Sequence, residues 1–380
     1  MSKPDPIGDA MQAAVANGVF PGAVLFVRLR GQVACHQAFG NAALVPAVEP
    51  ASLDTLYDLA SLTKPLATVT TVLLLVRDGR LTLDDLVKKH VPECVGHPIG
   101  EMTIWHLLTH SSGLPSWRPF YERIAQEDQL RPGLLGSDAA RARMLTLIAE
   151  EPLEYPAGTR SVYSDLGFML LGMVVERVTG HTLEAYCREQ VFKPMQTPLM
   201  FLGAKGEHPL DLHTIAPTEQ ESWRGRLLRG EVHDENAHAL GGVSGHAGLF
   251  GTAAAVSTVT GQWLDSYVGR GWLLPSELVR KFVTKQDRVT GSSWALGWDT
   301  PSAPSSSGSR FSPASFGHLG YTGTSIWIDP QAELEVILLS NRVHPSRSNE
   351  AIKLFRPVIH DLIYKELVAG SEQSTAGNRH

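Results

Sequence analysis

Ser61-Leu62-Thr63-Lys64 sets a hydroxyl and an amine three residues apart at the start of a long apolar stretch, just after Tyr57-Asp58-Leu59-Ala60. On a helix of 3.6 residues per turn, positions three apart share a face, so these two groups come within hydrogen-bond reach. A serine hydroxyl is a weak nucleophile until its proton is removed. A lysine can remove it when burial or a cationic neighbour lowers its pKa toward neutrality. Ser-Lys pairs are an established variant of serine catalysis. Roughly one S-x-x-K arises by chance in a chain this long, so the pair gains weight only from what accompanies it.

Two further segments carry chemistry. Tyr163-Ser164-Asp165 follows Pro156-Ala157-Gly158-Thr159 and precedes the apolar run Leu166 to Val178, so Tyr163 belongs to a turn that can face a cleft. A phenol set against a lysine ammonium is favoured as phenolate and can then act as a general base; the alternative is a ring that anchors the loop by packing. Phe316-Gly317-His318-Leu319-Gly320-Tyr321-Thr322-Gly323-Thr324-Ser325 leads into the apolar run Ile326-Trp327-Ile328. Glycines at a strand margin admit a ligand close to the backbone, and an edge N–H aimed at a bound carbonyl supplies half of an oxyanion hole. The other half would be the N–H of Ser61, at a helix start where donors are free. The alternative is a tight turn feeding a hairpin.

The elements that must position these groups follow from periodicity. Ala10 to Val19 reads as an amphipathic helix, and Ala23 to Arg30 with Val33 to Phe39 as a hairpin turning at Gly31. The far end repeats this character with Thr324 to Asp329, a turn through Pro330 to Glu333, Leu334 to Ser340, and a terminal helix over about Asn349 to Val368. Between them the period is helical: Ser61 to Asp78, Thr103 to Thr109, Ser137 to Glu150, Asp165 to Thr179 closed by Gly180, and Thr252 to Tyr267. Strand-rich ends around a helix-rich middle predict a discontinuous α/β domain (1–60 and 255–380) with a mainly helical domain (61–254) inserted, and active sites favour such clefts. Ser302 to Ser309 reads as a flexible surface loop, or as a lid.

Composition removes several classes. The 380 residues are 43% hydrophobic and 19% charged, which is globular, and the net charge of −6 with dispersed Lys and Arg argues against a nucleic-acid partner. No uncharged apolar run reaches the roughly 18 residues of a membrane span. The start lacks an apolar leader core, so the chain reads as cytoplasmic, or as periplasmic if a leader has been removed. Cys35, Cys94 and Cys187 form no C-x-x-C pair and read as free thiols. His106 and His110 have two-histidine metal spacing but no accompanying Glu, and His233, Asp234, Glu235, His238 and His246 read as a cleft wall; no metal and no cofactor is expected. Absence of G-x-S-x-G counts against an α/β-hydrolase elbow.

Taken together, the Ser61 and Lys64 motif, Tyr163 about a hundred residues on, and His318-Leu319-Gly320 before a strand resemble the serine β-lactamase and penicillin-binding-protein superfamily. The branch resembled is that of class C β-lactamases, family VIII esterases, DD-peptidases and D-aminopeptidases. Trp105-His106-Leu107-Leu108-Thr109-His110-Ser111-Ser112-Gly113-Leu114-Pro115, and His233 to Ala237 with Gly241-Gly242-Val243-Ser244-Gly245-His246-Ala247-Gly248-Leu249-Phe250, resemble further signatures of these proteins. The resemblance implies a class C β-lactamase-like α/β plus all-α fold: an antiparallel sheet flanked by N- and C-terminal helices, beside the helical domain. It implies Ser61 as acylated nucleophile, Lys64 and Tyr163 as proton-transfer partners, and the N–H groups of Ser61 and Tyr321 as oxyanion hole. Asp165, His318, Gly320, Glu235 and Asn236 are the implied substrate-binding residues, for a small ester, amide or β-lactam.

Two positions depart from the β-lactamase pattern: Asp165 stands where Asn is usual, and His318 where Lys is usual. A carboxylate beside Lys64 would hold it charged and repel the carboxylate of a β-lactam, leaving Tyr163 as the expected base. A histidine anchors a substrate carboxylate less firmly than a lysine. Both changes point to an esterase-like hydrolase with weak β-lactamase activity, or to substrates whose amine pairs with Asp165 or Glu235. The alternatives are a β-lactamase, DD-peptidase or D-aminopeptidase, and, in a different class, a catalytically silent scaffold.

Overall fold

The computed structural model describes residues 5–203 and 209–370. Helix α1 (Pro6–Ala16) starts at Asp5, whose carboxylate accepts the Gly8 N–H at 3.0 Å. Strands β1 (Gly22–Leu29), β2 (Gln32–Ala43) and β3 (Glu49–Pro50) follow. The middle of the chain contributes α2 (Thr70–Arg77), α3 (Asp165–Thr179) and α4 (Ala253–Tyr267), among other helices. The chain then returns to the sheet as β4 (Phe316–Leu319), β5 (Ser325–Asp329) and β6 (Leu334–Ser340), and closes with α5 (Ile352–Ile363).

The six strands form one antiparallel sheet in the order β3-β2-β1-β6-β5-β4. The two ends of the chain meet at its centre, where β1 pairs with β6 from Ala23 opposite Ser340 to Leu29 opposite Leu334. Alternation decides the layers. Leu25, Val27, Trp327 and Leu338 face α1 and α5 in one core with Met11, Ile359 and Ile363. Val24, Phe26, Ile326 and Ile337 face the other way, into a larger core shared with α2, α3 and α4. That core runs without interruption from the sheet into the helices.

The expected single helix over Ser61 to Asp78 is three pieces: a 3₁₀ turn at Ala60–Leu62, a wide π turn at Lys64–Val69, and α2. Pro65 explains the break, because it has no N–H for an i to i−4 bond. Within the wide turn the Thr70 hydroxyl donates to Pro65 O at 2.9 Å. By length and composition Ala60–Arg77 could cross a membrane, but 83% of it is buried inside the protein, as a core helix should be. Of the helices that were not expected, the two longest are Phe120–Leu130 and Ser276–Val283. The first buries only Phe120 and Ile124; the second is amphipathic, burying Val279, Phe282 and Val283, but at two turns it is too short for the period alone to identify a helix.

The Ser302 to Ser309 loop is fastened to the outer layer. Asp361 accepts the N–H groups of Ser309 and Arg310, His360 Nδ1 bonds Ser306 O at 2.8 Å, and the Trp327 indole donates to Ser306 Oγ. It lines no part of the cleft described next.

Candidate active site

A short ladder aims the Ser61 segment. Tyr57–Asp58 pairs with Leu249–Gly251, which also pairs with Met200–Phe201. The chain then turns sharply at Ala60, a non-glycine residue at φ 47°, and enters the helix at Ser61. Such a conformation persists only where its surroundings enforce it. Here the buried Asp58 carboxylate does so, accepting the Ala60 N–H at 2.8 Å and the His233 N–H at 2.7 Å.

Ser61 Oγ lies 2.8 Å from Lys64 Nζ and 2.7 Å from Tyr163 Oη. Lys64 is fully buried, with Asp165 Oδ1 at 2.6 Å and His246 O at 3.3 Å, and its ammonium stands 4.7 Å from the centre of the Tyr163 ring. Burial pushes the Lys64 pKa down, and Asp165 returns part of that shift. Burial, reinforced by Asp165, pushes the Tyr163 phenol well up. Both directions disfavour the expected phenolate: burial and Asp165 favour the protonated phenol of Tyr163, and burial favours the neutral amine of Lys64.

Tyr163 is clamped by the Trp105 to Pro115 segment. His110, itself at φ 54°, accepts the Ser164 N–H on Nδ1 at 3.1 Å and packs its ring 4.7 Å from that of Tyr163. Ser164 donates to Pro115 O at 2.8 Å and caps α3 by accepting the Gly167 N–H. The second glycine-rich segment presents His246 to Lys64. It passes so close to α3 that a Cβ on Gly245 would sit 2.1 Å from Phe168 O, and there His246 Nε2 donates to Asp234 Oδ1 at 2.9 Å.

These groups open into a cavity of about 650 Å³, lined among others by Ser61, Tyr163, Asp165, Glu235, His318, Gly320 and Tyr321. Sequence reasoning missed Trp117, Trp294, Arg342 and Arg356 in its walls. The tryptophans carry no spacing signal, but the arginines sit in the charged stretch Arg342 to Arg356, which could have prompted the question.

Of the expected substrate contacts, Asn236 stands corrected, while Glu235 and His318 line the cavity with restricted chemistry. Asn236 does not line the cavity: it is fully buried, accepting the Tyr121 N–H and donating to Arg118 O, and so braces two segments. Glu235 lines it but is paired with Arg347 at 2.8 Å, so it is no free partner for an amine. His318 is buried and its pKa is pushed down to about 3, chiefly by burial with Lys64 adding to it. Its Nδ1 contacts the Leu319 carbonyl at 2.8 Å, an acceptor, so that nitrogen carries the proton and Nε2 is a lone pair. It offers no cation. Gly320 lines the cavity, and a Cβ there would meet Thr324 Oγ1 at 2.0 Å and Leu59 O at 2.7 Å. Of the histidines with metal-like spacing, His106 Nδ1 bonds Thr103 while His110 serves Ser164, so the two are separately engaged.

A buried lysine and a tyrosine converging on one serine, in a cleft between an antiparallel sheet and helices, define a serine hydrolase of the β-lactamase and penicillin-binding-protein superfamily. The chain belongs to the Beta-lactamase family, whose profile matches residues 7–356. It is 33% identical over 361 residues to a putative D-alanyl-D-alanine carboxypeptidase of Escherichia coli K12, covering 86% of this chain and 79% of that one. It is 32% identical over 356 residues to an N-acetylmuramyl-L-alanine amidase of Bacillus subtilis, covering 86% and 78%. Among solved structures, simvastatin synthase (LovD) of Aspergillus terreus superposes with a TM-score of 0.73 at 22% identity, over 96% of this chain and 99% of that one, and so shares the fold.

Proposed function

We propose that the protein hydrolyses a small ester or amide through an acyl-enzyme on Ser61, with esters preferred to β-lactams. The observation that carries this is Ser61 Oγ held at once by Lys64 Nζ and Tyr163 Oη, at 2.8 and 2.7 Å. Neutral Lys64 takes the Ser61 proton as Oγ bonds to the substrate carbonyl carbon. The developing oxyanion meets the N–H groups of Ser61, in the first helical turn, and Tyr321. As the tetrahedral intermediate collapses, the protonated Tyr163 gives its proton to the departing oxygen or nitrogen, and the adjacent Lys64 ammonium restores it. Water then attacks the acyl carbon, giving its proton to the same pair, and the acid leaves.

The ester preference rests on His318, which is neutral where a carboxylate-bearing β-lactam would need a cation. A second reading, cleavage of an amide in a D-alanyl or muramyl peptide, draws on the names of the two bacterial relatives. Mass spectrometry after a fluorophosphonate or penicillin should show one adduct on Ser61, absent from Ser61→Ala. No adduct with either reagent would reject the acyl-enzyme. Parallel turnover of a p-nitrophenyl ester, nitrocefin and a D-Ala-D-Ala peptide then separates the readings, and nitrocefin matching the ester in kcat/KM would reject the stated preference.

A further inference from the structure

Arg356, on α5, is buried with 5% exposure, and among the described residues it makes no ion pair with a carboxylate. It lines the cleft, and its Nε has no hydrogen-bond partner. Its Nη2 donates instead to two main-chain carbonyls, Thr324 O at 2.8 Å and Gly320 O at 3.3 Å. The Gly320 carbonyl belongs to the same peptide group as the Tyr321 N–H. Burying a guanidinium without a counter-ion is unfavourable, and a neutral donor would brace a turn as well. The turn already has its own closure, since Gly320 N donates to Thr324 O at 2.7 Å and Arg342 Nε donates to Tyr321 O at 2.9 Å.

We propose that Arg356 is a positioning residue of the oxyanion hole, acting through the Gly320–Tyr321 peptide. A charge-assisted bond to a peptide oxygen draws electron density toward that oxygen and makes the N–H at the other end a stronger donor. It also fixes the plane of the peptide, so the Tyr321 N–H stays aimed as charge develops. The burial that makes the cation unfavourable at rest also raises its effect on the oxyanion, because little water screens it. Burial, with Arg342 nearby, presses the guanidinium's pKa down to about 9, so it remains charged near neutrality.

The inference rests on the proposed acyl-enzyme and can fail separately from it. Wild type, Arg356→Met and Arg356→Lys are acylated with an ester carrying a ¹³C carbonyl, and the infrared band of the acyl-enzyme is compared. Weaker polarisation in Arg356→Met should move the band to higher wavenumber and lower kcat roughly tenfold, less than the ~100-fold of deleting a donor, with KM little changed. Arg356→Lys, which keeps the charge, should fall between. In Tyr321→Pro, which lacks the N–H, adding Arg356→Lys should leave the band where it is, and this pair carries the test if Arg356→Met does not fold. Variants that form the acyl-enzyme with an unmoved band and unchanged kcat, even at lower Tm, would make Arg356 a brace and nothing more. If the wild type itself forms no acyl-enzyme, the proposed function falls, and this inference with it.

Discussion

At Ser61 the division of labour turns on which neighbour can give up a proton. Lys64 is pushed toward its neutral form by burial, and Tyr163 is pushed toward its protonated form by burial and Asp165. The kcat/KM profile should therefore rise with pH as Lys64 deprotonates. Asp165 holds that pKa up, so Asp165→Asn should shift the rising limb to lower pH. Tyr163→Phe should cut kcat by about 10²–10⁴, the range of a general acid, yet keep the limb. Loss of the limb in Tyr163→Phe would reassign the base to tyrosine. Ser61, Lys64 and Tyr163 were legible in the sequence because their spacing and neighbours are local features. Orientation was not: nothing local says that both ends of the Asn236 amide are taken by Tyr121 and Arg118.

Among the elements, the crossing of the Gly245 segment over α3 does the most to place the base. A Cβ on Gly245 would stand 2.1 Å from Phe168 O and 2.8 Å from Gly172 N, and neither backbone group can step aside alone. Gly245→Ala should cost roughly 1–3 kcal/mol, the range of overpacking. It should also lower kcat more than a matched destabilisation elsewhere, because the displaced segment carries the His246 carbonyl that touches Lys64. Urea unfolding and ester turnover on one preparation would check this, and full activity at reduced stability would break the link. The strands at both chain ends and the capped helix α3 were readable from period and caps. The π turn after Ser61 was not, since an apolar run reads as helix whichever hydrogen-bond period it adopts, and only Pro65 hinted otherwise.

Over the whole molecule, buried histidines set the acid limit. Burial pushes His318 down to about 3, and His238 and His360 to about 4, from an ordinary value of 6.5. Below pH 6.5 the unfolded chain takes up protons that the folded one refuses, so stability falls from there toward pH 3 to 4. Glu49, held at about 2 first by its hydrogen bond to Arg229, adds a loss below its ordinary 4.5. The urea midpoint should decline from pH 6.5 to 4, and His360→Phe should make that decline shallower; an unchanged slope would show that His360 does not titrate as stated. The sheet has a different consequence, one of timing. Because β1 lies between β2 and β6, a nascent chain emerging from the ribosome carries Ser61 and nearly all of the helices long before Leu334–Ser340 exists. Until then the β1 edge is unpaired and sticky, and closing contacts some 300 residues apart is slow, so the last strand to be synthesised is the latch on the first.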